Sequence, residues 1–107
     1  MPPEHPTVDP DRYTLRGLLT CGTCGEPMHP ATTATGARTY ACPTAACPRP
    51  PVRAADIEQL AWARYTARHE TTAATTPRDK RHHALIDALA AITVGTPWIN
   101  LDYTWRY

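Results

Sequence analysis

Four cysteines, in a chain with little else to hold it together, constrain this sequence most. They run C-x2-C at Cys21 and Cys24, then seventeen residues, then C-x4-C at Cys42 and Cys47. Each short spacer lets one turn aim two sulfurs at a common point, and the stretch between is long enough for a hairpin that brings the two turns together. The need for such a staple follows from composition. In 107 residues there is no Phe, 12 residues are Pro and the mean hydropathy is −0.44, so apolar area is thinly spread.

Other uses of the thiols rank lower. Disulfides need an oxidising compartment, and the opening MPPEHPTVDP has neither a basic n-region nor an apolar h-region. A thioredoxin-like C-x-x-C would need a βαβ context that the pattern lacks. A rubredoxin-like iron site would use the same sulfurs, but the segment around them is rich in Thr and Pro and lacks apolar shielding. The reading is one structural Zn2+ held by Cys21, Cys24, Cys42 and Cys47, contributing about 10 to 16 kcal/mol of folding energy. Gly22 and Gly25 leave room for backbone amides to point at the sulfurs. His29 is the one substitute ligand and reads as a surface imidazole, since the cysteines already fill a tetrahedral shell. No stretch approaches the roughly 18 apolar residues of a membrane span, so the expected location is cytoplasmic.

The expected fold class is a small metal-bound α+β, a zinc beta-ribbon followed by two α-helices. Residues 1–12, with four prolines, read as a flexible lead-in; 13–52 as the ribbon; 53–95 as a helical hairpin; 96–107 as an aromatic C-terminal tail. RAADIEQLAWARYTARH has no Gly or Pro and carries Asp56 and Glu58 early and Arg68 late, which predicts a helix. Its apolar stripe is Ile57, Leu60, Ala61 and Tyr65. After the threonine-rich connector HETTAATT, a second helix is expected from Pro77 to the stop at Gly95. His82, Leu85, Leu89 and Ile92 form a short coiled-coil-like seam on it, open to a partner.

From Leu15 to Trp62 the sequence resembles the recombinase zinc beta-ribbon domain of large serine recombinases and phage-type serine integrases. The features that carry the resemblance are LRGLL leading into CGTCG, Met28, a Gly-containing hairpin, YAC at the second cysteine pair, and VRAADIE opening a helix. WINLDYTWR is similar, more weakly, to the returning segment that follows the family's coiled-coil insertion. The resemblance implies the distal DNA-binding piece of such an enzyme, standing without the catalytic domain. The chain contains no serine to act as the family's nucleophile, and no nucleophile–base pair or open metal position is visible. It is therefore expected not to be an enzyme.

Charge is consistent with a DNA partner, modestly. Between residues 12 and 53 there are five arginines against Glu26 alone. Candidate DNA contacts are Arg16, Arg38, Arg49, Arg53 and Thr33, with Arg38 at the hairpin and Arg49 beside the second cysteine pair foremost. Tyr40 and Trp62 read as packing residues. The alternatives are a module that acts on a serine recombinase, or self-associates, through the seam and the aromatic tail, and a decayed integrase remnant.

Overall fold

The computed structural model describes residues 12–43 and 47–106, so the lead-in, except Arg12, lies outside the described residues. The described residues form two three-stranded sheets. The first is an antiparallel meander of β2 (His29–Thr32), β3 (Arg38–Ala41) and β4 (Val52–Arg53). Pro30 lies on its edge strand β2, where the missing N–H costs no ladder bond. The β2–β3 turn is closed by Thr33, whose N–H donates to the Ala37 carbonyl (2.9 Å) and whose Oγ1 accepts from the Ala37 N–H (3.0 Å). Gly36 supplies the left-handed φ of 88° that this turn needs.

Helix α1 (Ala54–Arg68) starts directly at the end of β4 and lies on the meander. Its buried residues are Ala54, Ile57, Ala61 and Tyr65, spaced three, four and four apart, as one helix face requires. Leu60 is not on this face: it is 39% exposed. The expected threonine-rich connector contains a short helix, α2 (Glu70–Thr75), in which the Thr75 and Thr76 hydroxyls donate back to the carbonyls of Thr71 and Thr72.

Beyond it the expected second helix ends early. After a 3-10 turn at Arg78–Lys80, α3 covers only Arg81–Ala88, and Leu89–Val94 is a strand, β5. β5 pairs parallel with β1 (Leu19–Cys21) and antiparallel with β6 (Leu101–Trp105), forming the centre of the second sheet. The physical reason is tertiary. The run Ile92-Thr93-Val94 is β-branched, and an edge on either side satisfies its backbone, which outweighs the helical preference of Ala90 and Ala91. The helix end is held by the returning chain: Arg106 donates from its backbone N–H to the Ala88 carbonyl (2.9 Å) and from Nε to the Ile86 carbonyl (2.8 Å). Leu85, Leu89 and Ile92 are all buried, so the apolar part of the expected seam is core, and His82 at its start is half-buried.

The expected aromatic tail contains a strand, β6, whose Tyr103 and Trp105 pack on α1. Tyr103 and Trp105 stack with centroids 6.0 Å apart, the Arg64 guanidinium lies 5.7 Å from the Tyr103 ring centre, and that of Arg68 lies 4.4 Å from Trp105. Among the described residues no helix is long and apolar enough to cross a membrane.

One polar knot ties ribbon to helix. The Glu58 carboxylate on α1 accepts from Tyr40 Oη (2.6 Å), Arg38 Nη2 (3.0 Å) and the Thr14 N–H (3.2 Å). Tyr40 Oη in turn accepts from the Leu15 N–H (3.0 Å), and its ring meets Tyr13 edge-on at 5.4 Å. Burial first, and then the bond to Glu58, push the Tyr40 phenol well above its ordinary range, so it stays a donor. Tyr40→Phe keeps the ring but strands the Leu15 N–H, and should cost about 1 to 3 kcal/mol in urea unfolding of the metal-loaded protein. Glu58→Ala should cost at least as much, because Arg38 loses its counter-charge. Unfolding curves that superpose on wild type would contradict this account.

Candidate metal centre

β1 delivers Cys21 to a tight turn. The Gly25 N–H donates to the Cys21 carbonyl (2.8 Å), the Cys21 N–H to the Glu26 carbonyl (2.8 Å), and the Met28 N–H to the Leu19 carbonyl (2.9 Å). The two glycines have separate reasons. Gly25 sits at φ 79°, a left-handed conformation. Gly22 lies against β5, where its N–H donates to the Val94 carbonyl (2.9 Å) and any Cβ would lie 2.6 Å from that same oxygen.

The sulfurs of Cys21, Cys24, Cys42 and Cys47 all lie within 4.8 Å of one another. Cys24 and Cys42 are 3.2 Å apart and Cys21 and Cys47 are 3.7 Å apart. These separations are far beyond the roughly 2.05 Å of a disulfide, and all four cysteines are free. They approach from below the edge of a tetrahedron with arms of about 2.3 Å, which is about 3.8 Å. Four sulfur donors with that spacing could hold one metal ion, and the donor set suits a soft or borderline dication. Cys21 is buried at the base of the cluster while Cys24 is exposed at its rim.

Three sulfurs are reached by an amide two residues on: Thr23 to Cys21, Glu26 to Cys24 and Arg49 to Cys47. Such donors favour the thiolate. At Cys21 burial pulls the other way. The amides of Cys24 and Thr23, the Arg49 guanidinium and the Cys47 thiol outweigh it, and the thiol is lowered to about 6. At Cys24 the Glu26 amide favours ionisation, but the neighbouring Cys42 thiol, desolvation and the other two cysteines push the group up to about 12. Four thiols crowded together cannot all lose their protons without a cation among them, and a bound dication supplies that charge.

Arg49 is the cluster's chief support. Its Nη2 lies 2.6 Å from the Gly95 carbonyl, 3.0 Å from the Val94 carbonyl and from Thr96 Oγ1, and 3.3 Å from Thr23 Oγ1. One guanidinium thus links the second cysteine pair to the first and both to the β5–β6 turn. Arg38 is likewise used internally. It pairs with Glu58, donates from Nη1 to the Arg12 carbonyl, and lies over the Tyr13 ring, with only 23% of its side chain exposed. Thr33 closes the hairpin turn through both its backbone and its hydroxyl. Arg16 Nη1 donates to the Tyr13 carbonyl (3.2 Å), and Arg53 is exposed at the end of β4. Of the five candidate DNA contacts, Arg38 and Arg49 thus have acceptors inside the molecule, Thr33 serves the turn, and Arg53 is exposed. Glu58 and the Val94–Gly95 carbonyls were missed in the sequence. The recurring amide two residues past each of three cysteines is the pattern that marks Arg49.

Residues 14–66 match the family described as the recombinase zinc beta ribbon domain. This stretch is a recombinase zinc ribbon. No curated protein matches the chain. A solved structure from a study of the sequence requirements of the Listeria innocua prophage attP site shares the fold, with TM-score 0.65 and 16% identity over 86% of this chain. The match covers 42% of that chain, so the present chain spans less than half its length. Since 86% is more than the ribbon match supplies, the shared architecture extends into the elements that follow the zinc ribbon.

Removing the Arg49 guanidinium should weaken metal binding by the zinc ribbon about 10- to 100-fold, as is usual for groups that orient metal ligands. Competition of Arg49→Ala against a chromophoric chelator measures this. Affinity equal to wild type would show that the contacts to Val94 and Gly95 do not reach the metal centre.

Proposed function

We propose that the chain is a non-catalytic module of a serine-recombinase system that binds duplex DNA, its ribbon closed by one Zn2+ on Cys21, Cys24, Cys42 and Cys47. The observation that carries this reading is the recombinase zinc ribbon match over residues 14–66. The donor chemistry supports zinc, since four cysteine sulfurs at tetrahedral spacing fill a closed structural shell. Zinc supplies a fixed crosslink and no open coordination position. The protein's own residues do the rest. Arg49 and the backbone amides orient the thiolates, the Glu58 knot seats the meander on α1, and exposed cations such as Arg53 are left to meet phosphates. The solved structure of similar fold comes from work on a prophage attP site, which favours DNA over a protein partner. Arg38 and Arg49 contribute in this reading by shaping the module, because their guanidinia already have acceptors inside it.

The test is a mobility-shift titration of zinc-loaded protein on random and attachment-site duplexes. Retardation at low salt should disappear when a chelator strips the zinc. It should also fall with added salt, log K dropping by about 0.9 per phosphate contacted for each log unit of salt. Protein that carries one zinc per chain and retards neither duplex at low salt would overturn the reading.

A further inference from the structure

Away from the ribbon hairpin, three arginines come together where the segment before β1 meets the 3-10 turn and the start of α3. A cavity of about 660 Å³ there is lined by Arg12, Arg78 and Arg81, with Trp62 of α1 among its other walls. A second, of about 300 Å³, shares Arg78, Asp79 and Thr14 with the first, so the two form one trough, and it adds Arg16 and His83.

Charge in the trough is lopsided. Glu58 also lines it, but its carboxylate is taken by Arg38 and Tyr40. Among the described residues that line it, Asp79 is then the acid left to face Arg12, Arg78 and Arg81. Among the described residues the guanidinia of Arg12 and Arg78 have no hydrogen-bond or ion-pair partner, and both residues are exposed. Arg81 lies over the Trp62 ring at 4.5 Å, and its Nε is buried without a hydrogen-bond partner. A guanidinium stacked by its face keeps its in-plane N–H fork for an acceptor such as a phosphate oxygen. Cations strung along an open trough suit a polymeric anion, which loses counterions at each phosphate. A lone phosphate would want an enclosed site.

We propose that this trough, with Arg12 and Arg78 on its two sides and Arg81 between Trp62 and the ligand, is where the chain holds the phosphate backbone of duplex DNA. The proposal rests on the DNA-binding reading above but locates the contact away from the ribbon hairpin. Arg78 and Arg81 lie outside the 14–66 match, so the surface is not read from the zinc ribbon family. The 3-10 turn brings them opposite Arg12, more than sixty residues earlier in the chain.

The experiment is fluorescence anisotropy of a labelled duplex with the full zinc-loaded chain. It compares wild type, the double variant Arg12→Glu with Arg78→Glu, and Arg64→Glu, which reverses a charge over Tyr103 outside the trough. Zinc content and circular dichroism confirm that each is folded. The double variant should bind at least about tenfold more weakly at low salt, with a salt slope shallower by about 1.8 for two lost phosphate contacts. Arg64→Glu should stay within about threefold of wild type. A folded double variant that binds like wild type, or one weakened no more than Arg64→Glu, overturns the trough while leaving the DNA reading intact. Wild type that fails to bind overturns both.

Discussion

The sulfur of Cys21 lies at the one point where the two halves of the molecule must agree. Its backbone is the last residue of β1 and sits in register with Val94 of β5, while its side chain is the buried member of the four-sulfur cluster. The adjoining Gly22 N–H and the Arg49 guanidinium both end on the Val94 carbonyl. A change in the sulfur geometry is therefore a change in the sheet β1–β5–β6, and the last twenty or so residues close onto the metal centre. The small core makes this coupling necessary. Two three-stranded sheets and a thin helix stripe bury little apolar surface unless they are held against each other.

What was legible in the sequence was what local chemistry decides. The cysteine spacing, the Gly36 hairpin and α1 each rest on residues close in sequence, and each is found in the structure. β5 was not legible, because Leu85, Leu89 and Ile92 recur at helical spacing while Leu89, Ile92 and Val94 also serve one face of a strand with an irregularity after Leu89. Both readings bury the same leucines and isoleucine. The choice is made by β1 and β6, whose edges lie roughly seventy residues before β5 and about ten after it in the chain.

The internal partners of the arginines were hidden for a related reason. An arginine beside a hairpin tip looks solvated until its acceptor is known, and the acceptors here are remote. Arg38 finds Glu58 twenty residues on, and Arg49 finds the Val94 and Gly95 carbonyls some forty-five residues on. Neither distance leaves a motif. Glu58 sits on the face of α1 where the meander presents Tyr40 and Arg38 together.

Once Arg38 and Arg49 are taken up inside, the cations that face open space together are Arg12, Arg78 and Arg81, where the segment before β1 meets the 3-10 turn and the start of α3. That meeting depends on closure of the chain. The segment 12–16 is fixed by Thr14 and Leu15 donating into the Glu58–Tyr40 knot, and its Thr14 carbonyl lies 3.0 Å from His82 Nδ1 on α3. α3 is placed in turn by β5, which leans on β1 and the cysteine cluster. On the proposed reading the metal would govern DNA affinity from a distance, by holding β1 and β5 in register so that the arginines of two remote segments face one another across α1. Stripping the metal would then abolish binding without removing any group that touches a phosphate. A substitution in the trough would weaken binding while leaving metal content unchanged, and that difference separates a structural zinc from one at the interface.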